Sequence, residues 1–164
     1  MKQVTVCYLF LGVALLLAGC GGGGGGKAQM LGAEPAVLYS SADWQVVLTS
    51  RGSGSVAEVL HRVNGKWAVD RSHGVKLEIL GPKPGQPSTA NPPQVAITMK
   101  AKSPLVESQL WVDGNALMVK GGGTPTNGTI YGAPLKLSPG KHTAVGYART
   151  ASTGSAVAWS FTVS

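Results

Sequence analysis

The chain is short of charge, of aromatic side chains and of cysteine. Of its 164 residues 13% are charged and 6% aromatic, and Cys7 and Cys20 are its two cysteines. No run of Lys or Arg exceeds one residue, which leaves no patch for a nucleic-acid backbone despite a formal charge of +7. No apolar stretch reaches the ~20 residues that a membrane-spanning helix needs. Chemistry-bearing motifs are missing too. There is no Gly-x-Ser-x-Gly elbow, and neither Gly21–Gly26 nor Gly121–Gly123 is followed by the Lys-Ser/Thr of a phosphate cradle. The three histidines are His61, His73 and His142. Asp70 and His73, three apart, form the most site-like pair, but two ligands do not make a zinc site. The seven acidic residues show no spacing that suggests a converging carboxylate pair. The sequence therefore predicts no catalytic residues, no metal and no cofactor.

What is present begins at the N-terminus. Lys2 supplies a positive charge, Val4 to Leu17 an apolar core, and Ala18-Gly19 a small-residue step before Cys20, the pattern of a secretory leader. Leu17-Ala18-Gly19-Cys20 closely resembles the lipobox of bacterial lipoproteins. The resemblance implies cleavage before Cys20, a diacylglyceryl group on its sulfur and commonly a second, amide-linked chain, which together meet the two-signal requirement for stable anchoring. It also implies export. Gly21 rather than Asp after the cysteine points to the outer membrane of a Gram-negative cell, or to the outer face of the cell membrane otherwise. Residues 1–19 are then the signal peptide and 20–35 a lipidated, glycine-rich tether. A coil of that composition and length reaches about 20–25 Å. With Cys7 cleaved off and Cys20 acylated, no disulfide is left, and the fold depends on its core alone.

From 36 to 74 the pattern is that of a small β-meander. Ser55 and Glu58, with Val56, Val59, Leu60 and Val63 at helical spacing, offer a short helix as a competitor. Asn64-Gly65 between apolar runs is a strong hairpin signal, because both turn residues tolerate positive φ. A two-residue turn there pairs Val63 with Lys66, Arg62 with Trp67, Leu60 with Val69 and Glu58 with Arg71. That places a cation–π pair, an apolar pair and an ion pair in register and decides for the hairpin.

Residues 75–164 read as strands separated by Gly/Pro turns, the pattern of an antiparallel sandwich. Val75, Leu77 and Ile79 alternate with Lys76 and Glu78, and Val95, Ile97, Met99 and Ala101 with Ala96, Thr98, Lys100 and Lys102. Leu110-Trp111-Val112 leads to Asp113-Gly114, with Leu117-Met118-Val119 expected to return. Gly121 to Gly128 reads as a long polar loop. Thr143, Val145 and Tyr147 alternate with Ala144, Gly146 and Ala148, and Val157, Trp159, Phe161 and Val163 with Ala158, Ser160 and Thr162.

Several of these motifs, in order, resemble those of bacterial immunoglobulin-like domains. Val75-Lys76-Leu77-Glu78-Ile79 before Pro82 is similar to their first strand, and Trp111-Val112-Asp113-Gly114 to a central strand and turn. Leu137-Ser138-Pro139-Gly140-Lys141-His142-Thr143 is similar to their corner, and Trp159 to Val163 to the closing strand. The implied fold is all-β, an immunoglobulin-like sandwich behind a meander, the two either folding separately or sharing one core. The chain departs from that family in having no cysteine pair and an unusually glycine-rich middle loop.

The resemblance implies display and adhesion rather than a defined activity. Trp159 and one of Trp44 and Trp67 are expected in the core, and His142 is expected to bond nearby backbone. Trp111, if Leu110 and Val112 face inward, faces outward. It either packs on the meander or, with Tyr131, forms a contact surface. The sequence reading is a non-catalytic, lipid-anchored envelope protein. Its partners are the membrane, through lipid on Cys20, and another envelope protein or a surface glycan. A carbohydrate- or peptidoglycan-binding module is the first alternative. A small hydrolase built on Asp70, His73 and a serine is the second.

Overall fold

The computed structural model describes residues 34–52 and 54–164. The leader, Cys20 and the glycine segment lie outside the described residues. Strands β1 (Ala36–Ser40), β2 (Trp44–Arg51), β3 (Gly54–Val63) and β4 (Lys66–Val69) form an antiparallel meander in sequential order. The Asn64-Gly65 turn has φ of 51° and 77°, the mirror-image geometry that suits a tight hairpin. Its register pairs Val63 with Lys66, Arg62 with Trp67 and Leu60 with Val69, as expected. The Arg62 guanidinium carbon stands 5.9 Å from the Trp67 ring centre. The Asp70 N–H still donates to the Val59 carbonyl in the same register, and the ladder ends there, before the expected Glu58–Arg71 pair.

The remaining strands are β5 (Val75–Gly81), β6 (Pro87–Ser88), β7 (Val95–Ala101), β8 (Glu107–Val112), β9 (Asn115–Ala116), β10 (Lys120–Thr124), β11 (Asn127–Gly132), β12 (Gly140–Arg149) and β13 (Gly154–Val163). They pair as β10-β11-β7-β5 and β6-β13-β12-β8-β9. Lettered A, A′, B, C, C′, D, E, F and G in chain order, these sheets are ABED and A′GFCC′, the strand order of an immunoglobulin sandwich. β6 runs parallel to β13, and the other pairings are antiparallel. Immunoglobulin domains link B and F by a disulfide with a tryptophan against it. Here Ile97 on β7 and Leu110 on β8 close over Gly146 on β12 instead.

Two expectations are corrected. Leu117-Met118-Val119 does not return as a strand. After the two residues of β9 the chain leaves its sheet and crosses to the other one, with Leu117 buried and Val119 packed on the sandwich core. The glycine-rich stretch from Gly121 is not a loop. It is the edge strand β10, paired residue for residue with β11. Glycine is needed there because a Cβ on Gly121 would run into the Thr129 carbonyl, and one on Gly123 into that of Asn127.

Two buried clusters share the β6-β13-β12-β8-β9 sheet. Its inner face sends Leu110, Val112, Ala144, Ala148, Trp159, Phe161 and Val163 into the sandwich core, against Val95, Ile97, Met99 and Ile130 of the facing sheet. Its outer face sends Trp111, Val145 and Tyr147 against Trp44, Val46 and Val59 of the meander. The meander is therefore a third layer on a sheet covered on both sides. The described chain is one compact unit rather than two domains in series. Trp44 and Trp159 are core, as expected, and Trp67 is 38% exposed.

Candidate functional site

Among the described residues, chemistry-bearing side chains meet around Asp70 and around His142, and at both places the carboxylate is spent on holding the fold. Asp70 and His73 do line one hollow of about 280 Å³, together with Glu58, Arg71 and Ser155. Both Asp70 oxygens are taken, however. The Ser72 N–H donates to Oδ1 at 2.9 Å and the Gly154 N–H to Oδ2 at 2.7 Å, tying the linker after β4 to the start of β13. Burial alone would raise the Asp70 pKa, but the hydrogen bonds from Ser72 and Gly154 prevail and hold the carboxyl below its usual range. The His73 ring makes no hydrogen bond to a described residue. The hollow thus lacks the joined nucleophile, base and orienting acid that a hydrolase requires.

The second place is the β8–β9 turn. His142, 7% exposed, sets Nδ1 2.7 Å from Asp113 Oδ2 and Nε2 2.8 Å from the Ser138 carbonyl. Thr143 N–H donates to the other Asp113 oxygen at 2.9 Å. The corner histidine does bond nearby backbone, as its position after Pro139-Gly140 suggests. Both of its partners are acceptors, so only the doubly protonated ring satisfies both. The Asp113 hydrogen bond raises the His142 pKa, burial opposes it, and the Ser138 carbonyl adds to the rise. Among the described residues no group of three or more His, Cys, Asp or Glu is placed to hold a metal.

Trp111 is not a contact surface. It is 2% exposed, its ring 6.4 Å from that of Tyr147 beneath the meander. It does face out of the sandwich, and the meander covers it. Tyr131 stays 39% exposed on β11, because Ile130 and Gly132 on either side take the inward positions.

Tyr131 opens onto a surface that sequence reading missed. It borders a hollow of about 250 Å³ with Gln94, Lys120 and Met118. Met118 and Ala133 also line an adjoining groove of about 480 Å³, bounded by the 113–118 crossing and the 133–137 loop. Met118 is 94% exposed and Leu135 92%. Both stand on braced backbone. Leu117 N–H donates to the Leu110 carbonyl, and Gln109 Nε2 donates to the Leu117 carbonyl at 2.8 Å. Asn91 clamps Leu137 from both sides, accepting its N–H at 3.1 Å and donating to its carbonyl at 3.0 Å. With Leu117 anchored to the core, alternation leaves Met118 pointing away from it, and Leu135 stands out from the irregular 133–137 loop that Leu137 pins to the core. Lys120 and Lys136 are exposed beside them. The arrangement suits adhesion to an apolar or amphipathic surface, because large apolar side chains so fully exposed mark interaction sites. Its one sequence signal is an apolar Leu-Met-Val triplet beside a short turn, which also fits a strand.

No known family model matches the chain, and no curated protein matches it. Among solved structures it is similar to titin immunoglobulin tandem domains, at 6% identity and a TM-score of 0.37, over 80% of this chain and 74% of that one.

Proposed function

We propose that the chain is a non-catalytic, lipid-anchored protein of the bacterial cell envelope that presents an immunoglobulin-like domain to a partner or as structural support. One observation carries the reading. The carboxylates that cluster with other functional groups are engaged in structural bonds, Asp70 with Ser72 and Gly154, Asp113 with His142 and Thr143, Glu107 with Arg149, while large apolar side chains stand exposed at one groove. The Leu17-Ala18-Gly19-Cys20 motif supports the anchor, and the glycines after it support a tether. With Trp111 buried, the candidate surface for a protein partner is the open edge of β4. There Trp67 and Val69 are 38% and 37% exposed, and unpaired strand groups accept another strand.

The test is cross-linking in intact cells followed by purification through a C-terminal tag, beside fatty-acid labelling, with Cys20→Ala as the control. Expected are a label lost in the control and a recurrent protein partner lost with it. A glycan-binding module is the second reading, favoured by Tyr131 standing exposed between Gln94 and Lys120. Retention on isolated cell wall with no protein partner would select it and overturn the first.

A further inference from the structure

We propose that the Met118–Leu135 groove is the face with which the domain rests on an anionic lipid bilayer. Met118 and Leu135 enter the boundary between headgroups and acyl chains, and Lys120 and Lys136 reach the lipid phosphates. The proposal rests on the lipid-anchor reading and adds an orientation to it.

Three observations support a bilayer as the occupant. Met118 and Leu135 stand out of the surface at 94% and 92% exposure rather than sinking into it. A protein hot spot is a buried anchor in a matching pocket, whereas interfacial insertion needs apolar side chains that project. The flanking charges are complementary to anionic lipid. Lys120 and Lys136 carry apolar stems that lie along the inserted residues while their ammonium groups stay at phosphate level. Asp113, the acid on this groove, is held against His142.

The third observation is where the chain enters the fold. β1 begins at Ala36, and two residues on, the Leu38 Cδ2 lies 4.0 Å from where a Cβ on Gly114 would stand. The entry point is thus beside the turn that bounds the groove. The 16 residues from Cys20 to Pro35 have a composition that reaches about 20–25 Å. A lipid on Cys20 therefore keeps this end of the domain, rather than the β12–β13 turn at the other end, within reach of the membrane.

The test uses the full chain, expressed with its leader so that processing takes place and reconstituted into phosphatidylcholine vesicles with or without phosphatidylglycerol. An environment-sensitive fluorophore is placed at Ala116→Cys on the groove or at Ser152→Cys in the β12–β13 turn. In phosphatidylglycerol vesicles the emission at 116 should move to the blue and be lost to a lipid-borne quencher, while that at 152 stays water-like. Met118→Asp with Leu135→Asp should return the 116 signal to the water-like value although the chain still floats with the vesicles. A Met118→Gln with Leu135→Gln pair repeats the loss without adding charge. Flotation with identical, water-like signals at 116 and 152 would sink the proposal and leave the anchor standing. A chain that carries no added lipid mass and does not float would overturn the anchor and the orientation with it. A blue shift that grows with protein density and resists the lipid-borne quencher would assign the groove to a second copy of the chain and overturn bilayer docking.

Discussion

Folding gives the His142 ring a carboxylate on one nitrogen and a carbonyl on the other, and with them a tighter hold on its second proton. The native chain therefore binds more protons than the unfolded chain on the alkaline side of the ordinary histidine pKa of 6.5. The stability that this ring contributes is complete below that value and is lost as pH rises through the raised native one. Denaturant titrations should show stability falling as pH rises above the ordinary histidine value of 6.5, and His142→Phe should remove most of that slope while lowering stability at the acid end. A slope unchanged in the variant would move the effect to another group. Tyr147 makes the opposite case. Its hydroxyl is buried between the meander and the sandwich with no hydrogen-bond partner among the described residues, and burial pushes its pKa well up. The neighbouring Arg149 gives its Nε to Glu107 at 2.7 Å instead. Tyr147→Phe removes an unsatisfied polar atom and keeps the ring, so stability should rise by about 1 kcal/mol, read as a higher denaturation midpoint at unchanged m-value.

The element that decides most is β12, which serves two cores at once. Ala144, Gly146 and Ala148 face the sandwich, and Val145 and Tyr147 face the meander. A Cβ on Gly146 would meet Ile97 at 2.9 Å and 3.0 Å. Gly146→Ala should therefore cost about 1–3 kcal/mol through overpacking, measured as a lower unfolding midpoint, although alanine suits a strand better than glycine does. Many strand positions and the Asn64-Gly65 register were legible because period-two alternation and turn chemistry are local signals, while the immunoglobulin-like fold was implied by the resemblance of ordered motifs. The third layer was legible too, in principle. A half-buried strand shows polar residues on one face, whereas Ala144 to Ala148 shows none on either. The same five residues bear on Trp111, since its partners across the ladder, Val145 and its neighbour Tyr147, are apolar on that face. What was not legible was long-range. The β10 glycines look like a loop until β11 is known to approach within a Cβ of them. The exposure of Met118 depends on a crossing between sheets that nothing in Leu117-Met118-Val119 announces.

At the scale of the molecule, the shared middle sheet makes the meander and the sandwich one cooperative body. Far-UV circular dichroism and tryptophan fluorescence should report a single coincident transition, since neither core survives loss of the sheet between them. Trp111→Ala should cost about 3–5 kcal/mol of stability, read as a lower single midpoint, rather than detach a layer. Two separated transitions would show that the layers unfold independently. Chain order gives this layering a consequence in time. The covering sheet, β1 to β4, precedes in the chain most of the surface it covers, β12 and β13. Trp44, Val46 and Val59 therefore stay exposed until β12 and β13 have followed. A nascent chain stopped anywhere before Arg149 presents two open apolar faces instead of one closed body. β12 and β13 act as a check on this unit, because only a chain that includes them hides the apolar surfaces by which proteases and chaperones recognise unfolded protein.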